Sequence, residues 1–203
     1  MEKDSQSDRP LVIVISGPSG VGKDATIARI KETGIKFHYI VTATTRARRP
    51  KETDGIDYYF LTHENFVEKI NNDEFLEYAE VYGNYYGVLK KEVSQALQKG
   101  EDVILKVDVQ GAATLKKKMP EAVFIFLLPP SVEDLSERLK NRNADTQTEV
   151  RIRINKAEQE LKCLAVFDYG VVNHTNALEK TAKAVKAIVT AEKCRIKPRI
   201  VEI

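Results

Sequence analysis

Tryptophan is absent from this sequence of 203 residues, cysteine occurs twice and histidine three times. Cys163 and Cys194 stand far apart and outside any metal-ligand spacing, so neither a disulfide framework nor a thiolate metal cluster is expected and two reduced thiols remain. His38, His63 and His174 show no ligand spacing either. Long apolar runs are missing, and the stretch Val123 to Leu128 is far too short to cross a bilayer. The polar start MEKDSQSDRP has no apolar segment behind a basic one, so no signal peptide is expected and the reading is cytoplasmic, with no membrane partner. Charge of one sign is lacking as well. Lys+Arg 32 against Asp+Glu 30 leaves a net charge of +2, which gives no overall field to select nucleic acid. What is present, 42% hydrophobic and 31% charged residues, is ordinary for a globular protein. The length suits one well-buried α/β domain with room for a small inserted subdomain.

The pattern along the chain fills in that outline. Leu11 to Ile15 is a continuous β-branched apolar run, the mark of a strand buried on both faces. A glycine-rich turn follows, then Ala25–Lys31 with helical spacing of Ile27 and Ile30, ended by Gly34. Residues 37–62 read as short strands around the polar stretch TTRARRPKETDG, and His63–Asn71 as a helix with Phe66, Val67 and Ile70 on one face. Phe75–Tyr86 reads as a hairpin turning at Gly83-Asn84, and Lys91–Gln98 as a helix closed by Gly100. Strands at Asp102–Val107 and Val123–Leu128 enclose a helix at Gly111–Lys118. A charged helical region runs from Val132 to about Leu161, broken near Asn141–Asp145. A short strand at Val171-Val172 and an amphipathic helix at Glu179–Lys193 follow. This order predicts a parallel sheet core with one β-rich excursion.

The turn after the first strand is GPSGVGKD: Gly17, Pro18, Ser19, Gly20, Val21, Gly22, Lys23 and Asp24. Its glycines let consecutive backbone N–H groups converge on a phosphate, and the helix that it opens adds a favourable dipole. Lys23 is placed to reach the β- and γ-phosphates of ATP, so the loop reads as a phosphate site rather than an ordinary turn. The last position of such a loop is normally Ser or Thr, whose hydroxyl ligates Mg²⁺. Here it is Asp24, which makes that residue a candidate metal ligand.

Further motifs follow at fixed distances. VTATTRARRP carries Thr42, Arg46 and Arg49; GIDYYF carries Tyr58; FLEYAE carries Glu77; GNYYG carries Tyr86; KVDVQGA carries Asp108. Taken singly, each has an ordinary reading as a solvated basic loop, a hairpin aromatic or a surface charge. Taken together behind the phosphate loop, they closely resemble the guanylate kinase family, through T-T-R-x-x-R, G-x-D-Y-x-F, G-N-Y-Y-G and D-x-Q-G. The resemblance runs from about Leu11 to Lys193 and includes PPSVEDLSERL. Adenylate and thymidylate kinases share the phosphate loop but not this set.

The resemblance implies a three-layer P-loop NTPase fold with a parallel core sheet, a small β-rich GMP-binding subdomain and a helical lid. The expected core comprises residues 11–40, 100–130 and 165–193, with the GMP-binding insertion at about 41–90, the lid at about 131–162, and flexible tails at 1–9 and 195–203. It implies transfer of the γ-phosphoryl group of ATP to GMP or dGMP, with Mg²⁺, and small-molecule partners; a homo-oligomer is left open. Arg46 and Arg49 offer bidentate forks to the GMP phosphate, and the Tyr58 and Tyr86 hydroxyls complete its shell. Glu77, assisted by Asp108, accepts the guanine N1–H and N2–H₂ donors, and Thr42 donates to the base. Arg138, Arg142 and Arg153 on the lid supply charge to the migrating phosphoryl group. Asn173 is expected near the adenine of ATP.

Three positions depart from the family pattern. Lys106 stands in KVDVQG where a carboxylate is usual, Asp24 carries a carboxylate where a hydroxyl is usual, and Val88 replaces a base-contacting Ser or Thr. The first two read as a charge exchange across one short gap, with Asp24 either ligating Mg²⁺ or pairing with Lys106; the ion pair is favoured. The departures keep two rivals in view, a phosphopeptide-binding guanylate-kinase-like module and a P-loop kinase acting on another phosphorylated small molecule.

Overall fold

A computed structural model describes residues 9–34, 36–81, 83–140 and 147–203, with only the backbone described at 147–151 and 153. The chain runs β1 (Val12–Ser16), α1 (Lys23–Glu32), β2 (His38–Tyr39), β3 (Ala43–Thr44), β4 (Tyr59–Phe60), α2 (His63–Asn71), β5 (Phe75–Val81), β6 (Asn84–Leu89), α3 (Lys90–Gln98), β7 (Val103–Lys106), α4 (Val109–Lys118), β8 (Val123–Leu128), α5 (Val132–Lys140), α6 (Gln147–Glu160), a 3₁₀ turn (Leu161–Val166), β9 (Tyr169–Val172) and α7 (Leu178–Lys193). The expected helix break near Asn141–Asp145 lies outside the described residues.

Strand residues alternate between the two faces of a sheet, and that alternation builds the core here. Ile13, Ile15, Ile104, Ile125 and Leu127 point to one side, where Ile27 and Ile30 of α1 meet Val185 and Val189 of α7. Val12, Val14, Val103, Leu105 and Phe124 point to the other, against Val93 of α3 and Leu115 of α4. The result is three layers around a parallel sheet of order β2-β7-β1-β8-β9. Each fully buried isoleucine of this kind contributes about 1.5–3 kcal/mol.

A second sheet, order β4-β3-β6-β5, holds the excursion. Phe66 of α2 stacks on Phe75 at 4.3 Å and on Tyr85 at 5.3 Å between ring centroids, which gives this sheet a small apolar cluster of its own. Helix α2 starts on Thr62, whose hydroxyl accepts from the Asn65 N–H at 3.2 Å.

The C-terminal segment departs from the flexible tail that the sequence suggests. Arg199 donates from Nε to Glu192 Oε2 at 2.8 Å and lies 3.7 Å from the Asp168 carboxylate, while Val201 packs against the core face formed by Val12 and Phe124. A guanidinium that finds a buried carboxylate on α7 draws the segment onto the domain. Residues 1–8 of the other expected tail lie outside the described residues. Among the described residues, no helix is long and apolar enough to cross a membrane.

Candidate functional site

The loop between β1 and α1 crosses in tight backbone. Gly22 has φ of 95°, and a Cβ there would sit 2.6 Å from Asn173 Nδ2, so the loop tolerates no side chain at this position. Lys23 curls back over the loop, donating to the carbonyls of Gly17 at 2.6 Å and Pro18 at 3.2 Å. Burial pushes its ammonium below the usual lysine range, against the opposing pull of Glu160 and Asp24.

A cavity of about 360 Å³ opens from this loop toward the second sheet. At its middle stands Arg46, whose guanidinium donates to Glu52 Oε1 and to the Ala47 carbonyl, both at 2.7 Å. It lies 5.4 Å from the centroid of the Tyr58 ring, and the Tyr86 ring meets Tyr58 edge-on at 6.1 Å. Arg49 lines the same space, and its backbone N–H donates to Glu52 Oε2 at 2.9 Å. Glu52 therefore fixes the Arg46 guanidinium and the backbone at Arg49. Together these groups present two cations and two phenols to one volume, a shell suited to a phosphate dianion.

The far end of the cavity is acidic. Glu77 on β5 is only 3% exposed, and a Cβ on Gly111 would lie 2.6 Å from its Oε2, so the carboxyl rests directly on the first turn of α4. Asp108 caps that helix, its Oδ1 accepting from the Gly111 N–H at 2.8 Å. Burial, and secondly the Asp108 charge, push the Glu77 carboxyl up to about 8, with Lys118 opposing. Three buried polar atoms here have no hydrogen-bond partner: Thr42 Oγ1, Glu77 Oε2 and Asp108 Oδ2. All three residues line the cavity. Buried polar atoms are rarely left unpaired, and three of them on residues that line one cavity suit a polar ligand.

Residues 8–192 match the family model "Guanylate kinase". The chain belongs to the guanylate kinase family. A guanylate kinase 2, chloroplastic/mitochondrial, from Oryza sativa subsp. japonica is 47% identical across 96% of this chain and 69% of its own length. A guanylate kinase from Lactococcus lactis subsp. lactis (strain IL1403) is 46% identical across 96% of this chain and 94% of its own length. The crystal structure of guanylate kinase from Anaplasma phagocytophilum, at 33% identity, superposes with a TM-score of 0.77 over 93% of this chain and 89% of that one.

Two of the residues expected at the nucleotide are engaged by the protein itself. Asn173 does not face the cavity: it is buried, donating from Nδ2 to the Val21 carbonyl at 2.7 Å and accepting from Thr181 Oγ1 at 3.0 Å. It holds the phosphate loop through the Val21 carbonyl. Arg138 likewise spends its guanidinium on protein, donating to the carbonyls of Val21 at 3.2 Å and Asn173 at 2.8 Å and to Thr175 Oγ1 at 3.0 Å. The reason is that α5 lies against the loop, with Leu139 so close to Gly20 that a Cβ there would meet it at 2.8 Å. Arg142 lies outside the described residues, and so does the side chain of Arg153. Val88 pairs in register with Glu77, but its side chain is in the core and does not line the cavity.

Asp24 and Lys106 are paired, Nζ to Oδ1 at 2.6 Å. Burial works against the lysine charge, yet Asp24, Tyr39 and Tyr58 outweigh it and raise the ammonium above its usual range. Three further contributions around the cavity carry no signal among the motifs above. Glu160, at the end of α6, accepts from the Ser19 N–H at 3.3 Å, Glu52 clamps the Arg46 guanidinium and the Arg49 backbone, and Gly111 admits Glu77. Nothing marks Glu160 in a charged helix, whereas Glu52 could have been suspected from its position inside the arginine loop.

Proposed function

We propose that this chain transfers the γ-phosphoryl group of ATP to GMP, and to dGMP, giving ADP and GDP. The observation that carries the reading is the trio of unpaired buried polar atoms, Thr42 Oγ1, Glu77 Oε2 and Asp108 Oδ2, beyond the arginine–tyrosine shell. Guanine offers two adjacent donors, N1–H and N2–H₂, to an ionised Glu77, whereas adenine offers an acceptor at N1. The wrong base leaves a buried carboxylate unpaired, and sites of this kind discriminate by about 10⁴ or more. Arg46, Arg49, Tyr58 and Tyr86 bind the acceptor phosphate, and the loop Gly17–Asp24 with Lys23 binds the donor phosphates.

Phosphoryl transfer needs little covalent help from a protein, so positioning and charge carry the catalysis. A phosphate oxygen of GMP attacks the γ-phosphorus as the bond to the ADP oxygen breaks. Lys23 balances charge on the donor side, and Arg46 and Arg49 hold the nucleophile in line. Arg142 and Arg153 remain candidates for the charge over the moving group. Mg²⁺ is the companion of ATP that the family implies, but the donor set here does not fit a protein-held ion. The Asp24 carboxylate is engaged by Lys106, and no group of three His, Cys, Asp or Glu side chains able to hold a metal occurs among the described residues. The ion therefore belongs with the substrate, carried by ATP and water.

A coupled assay of ADP release across GMP, dGMP, AMP, CMP and UMP tests the reading. GMP is expected to turn over best, dGMP more slowly and AMP hardly at all. Equal rates with AMP, or no reaction with GMP, would refute it.

A further inference from the structure

The Asp24–Lys106 pair has a second arm that reaches the acceptor site. The Lys106 ammonium, on a side chain 9% exposed, donates not only to Asp24 Oδ1 at 2.6 Å but also to the Tyr58 hydroxyl oxygen at 3.1 Å. It lies 4.7 Å from the centroid of the same ring. Asp24 stands in the first turn of α1, immediately after the phosphate loop, and Tyr58 stands in the shell with Arg46 and Tyr86. One buried cation thus touches a group from each substrate's subsite. A second cavity of about 240 Å³ borders Asp24, Lys106 and Tyr58 on their far side. Tyr39, which lines that cavity, acts on the ammonium as well, so polar partners surround it.

We propose that Lys106 is a positioning residue that joins the phosphate loop to the acceptor-phosphate subsite and stands in place of a protein-held Mg²⁺. Two physical consequences follow. A magnesium ion needs a ligand oxygen at about 2.0–2.1 Å, and an ammonium already occupies Asp24 Oδ1, so a divalent ion at that oxygen meets a fixed like charge. A hydroxyl that accepts from an ammonium must also aim its own hydrogen elsewhere. For Tyr58, which borders both cavities, the direction that serves the acceptor is the cavity that it shares with Arg46 and Tyr86, where it becomes a donor for a phosphate oxygen. Lys106 acts on substrate through Tyr58 and Asp24, not by itself taking part in the transfer.

The proposal rests on the phosphotransfer reading for its acceptor arm only, so the test has two arms. In the first, Mn²⁺ is titrated into nucleotide-free protein and followed by electron paramagnetic resonance. Little binding is expected in the wild type, tighter binding in Lys106→Met where the like charge beside Asp24 is gone, and a return to the wild-type level in Lys106→Met with Asp24→Asn. Wild-type binding that Asp24→Asn abolishes, or no gain in Lys106→Met, overturns the proposal. In the second arm, equilibrium binding of GMP is expected to weaken about tenfold in Lys106→Met and in Tyr58→Phe, the worth of one hydrogen bond to a charged group. The double variant should lose no more than the worse single, and Lys106→Arg should stay near wild type; additive losses overturn the proposal. Lys106→Gln serves the same cycle where Lys106→Met does not fold. Failure of the wild type to bind GMP at all would count against the phosphotransfer reading, while the Mn²⁺ arm still decides the role of the pair.

Discussion

Guanine recognition by Glu77 should be linked to a proton. With its carboxyl pushed up to about 8 by burial and by Asp108, Glu77 is roughly nine-tenths protonated at pH 7. Only the ionised form can accept both guanine donors, so binding at pH 7 must first remove that proton, at about 1.4 kcal/mol. The affinity for GMP is therefore expected to rise about eightfold from pH 7 to pH 8.5, with about 0.9 proton released per GMP at pH 7. Phosphate monoesters titrate near pH 6, so the window above pH 7 is clear of the ligand's own second ionisation. Calorimetry in two buffers of different ionisation heat counts the proton directly. Glu77→Gln should bind weakly and lose the pH slope, and Asp108→Asn should move the slope modestly to lower pH because burial is the larger cause. An affinity flat across this range, or an equal slope in Glu77→Gln, refutes the linkage. The same ionisation has a sign for stability. The folded, ligand-free chain keeps this proton up to about pH 8, while the unfolded chain loses it near 4.5. Stability from this group thus falls as pH rises through that window, and Glu77→Gln should flatten the melting profile there.

Lys23→Ala should lower kcat by at least ~10², since its ammonium serves the charge that moves between the phosphates; a near-normal kcat would remove it from the site. Arg46→Ala should raise KM for GMP strongly as well, and Glu52→Gln should do so about tenfold by releasing the clamp on Arg46, with KM for ATP unchanged in both. Gly111→Ala puts a Cβ 2.6 Å from Glu77 Oε2, so GMP affinity should fall by more than ~10-fold while ATP binding, measured by itself, is retained. Arg199→Ala removes the nearer guanidinium from Glu192, whose side chain is 1% exposed, leaving Arg195 at 3.6 Å. A loss of about 2 kcal/mol in stability is expected with kcat intact, read by denaturant unfolding and steady-state rates.

What could be read from the sequence divides along physical lines. β1 and β8 were legible because strands buried on both faces are written as unbroken apolar runs, and α2 because Phe66, Val67 and Ile70 recur at helical spacing. The pattern puts the start of α4 two residues late, at Gly111 rather than Val109, because Asp108, proposed for the site, is also the helix cap. Arg138 and Asn173 show the opposite limit. Their residue types suit a nucleotide contact, but the close approach of α5 and β9 to the phosphate loop turns their donors onto its backbone, and no local pattern encodes that approach. The docking of Arg199 escaped for the same reason: its partners Glu192 and Asp168 are brought together only by the folded edge of β9 and α7.

The ion pair of Asp24 and Lys106 could be inferred from two compensating departures, since a carboxylate gained at one position and lost at a neighbouring one conserves local charge. Its reach to Tyr58 could not be, because that contact crosses from the parallel sheet to the excursion. The acidic end of the cavity obeys the same logic. Glu77 and Asp108 are buried acids with an oxygen each left unpaired, an arrangement that an apolar pair of similar volume would make more stable. The frame tolerates it because β5 is held against α4, where Lys118 donates to the Leu76 carbonyl at 2.6 Å and Gly111 leaves room for the carboxyl. Recognition here is thus an unsatisfied polar demand maintained by two segments far apart in the chain. That explains why the residue types announced the chemistry while its geometry, and the proton it holds, required the fold.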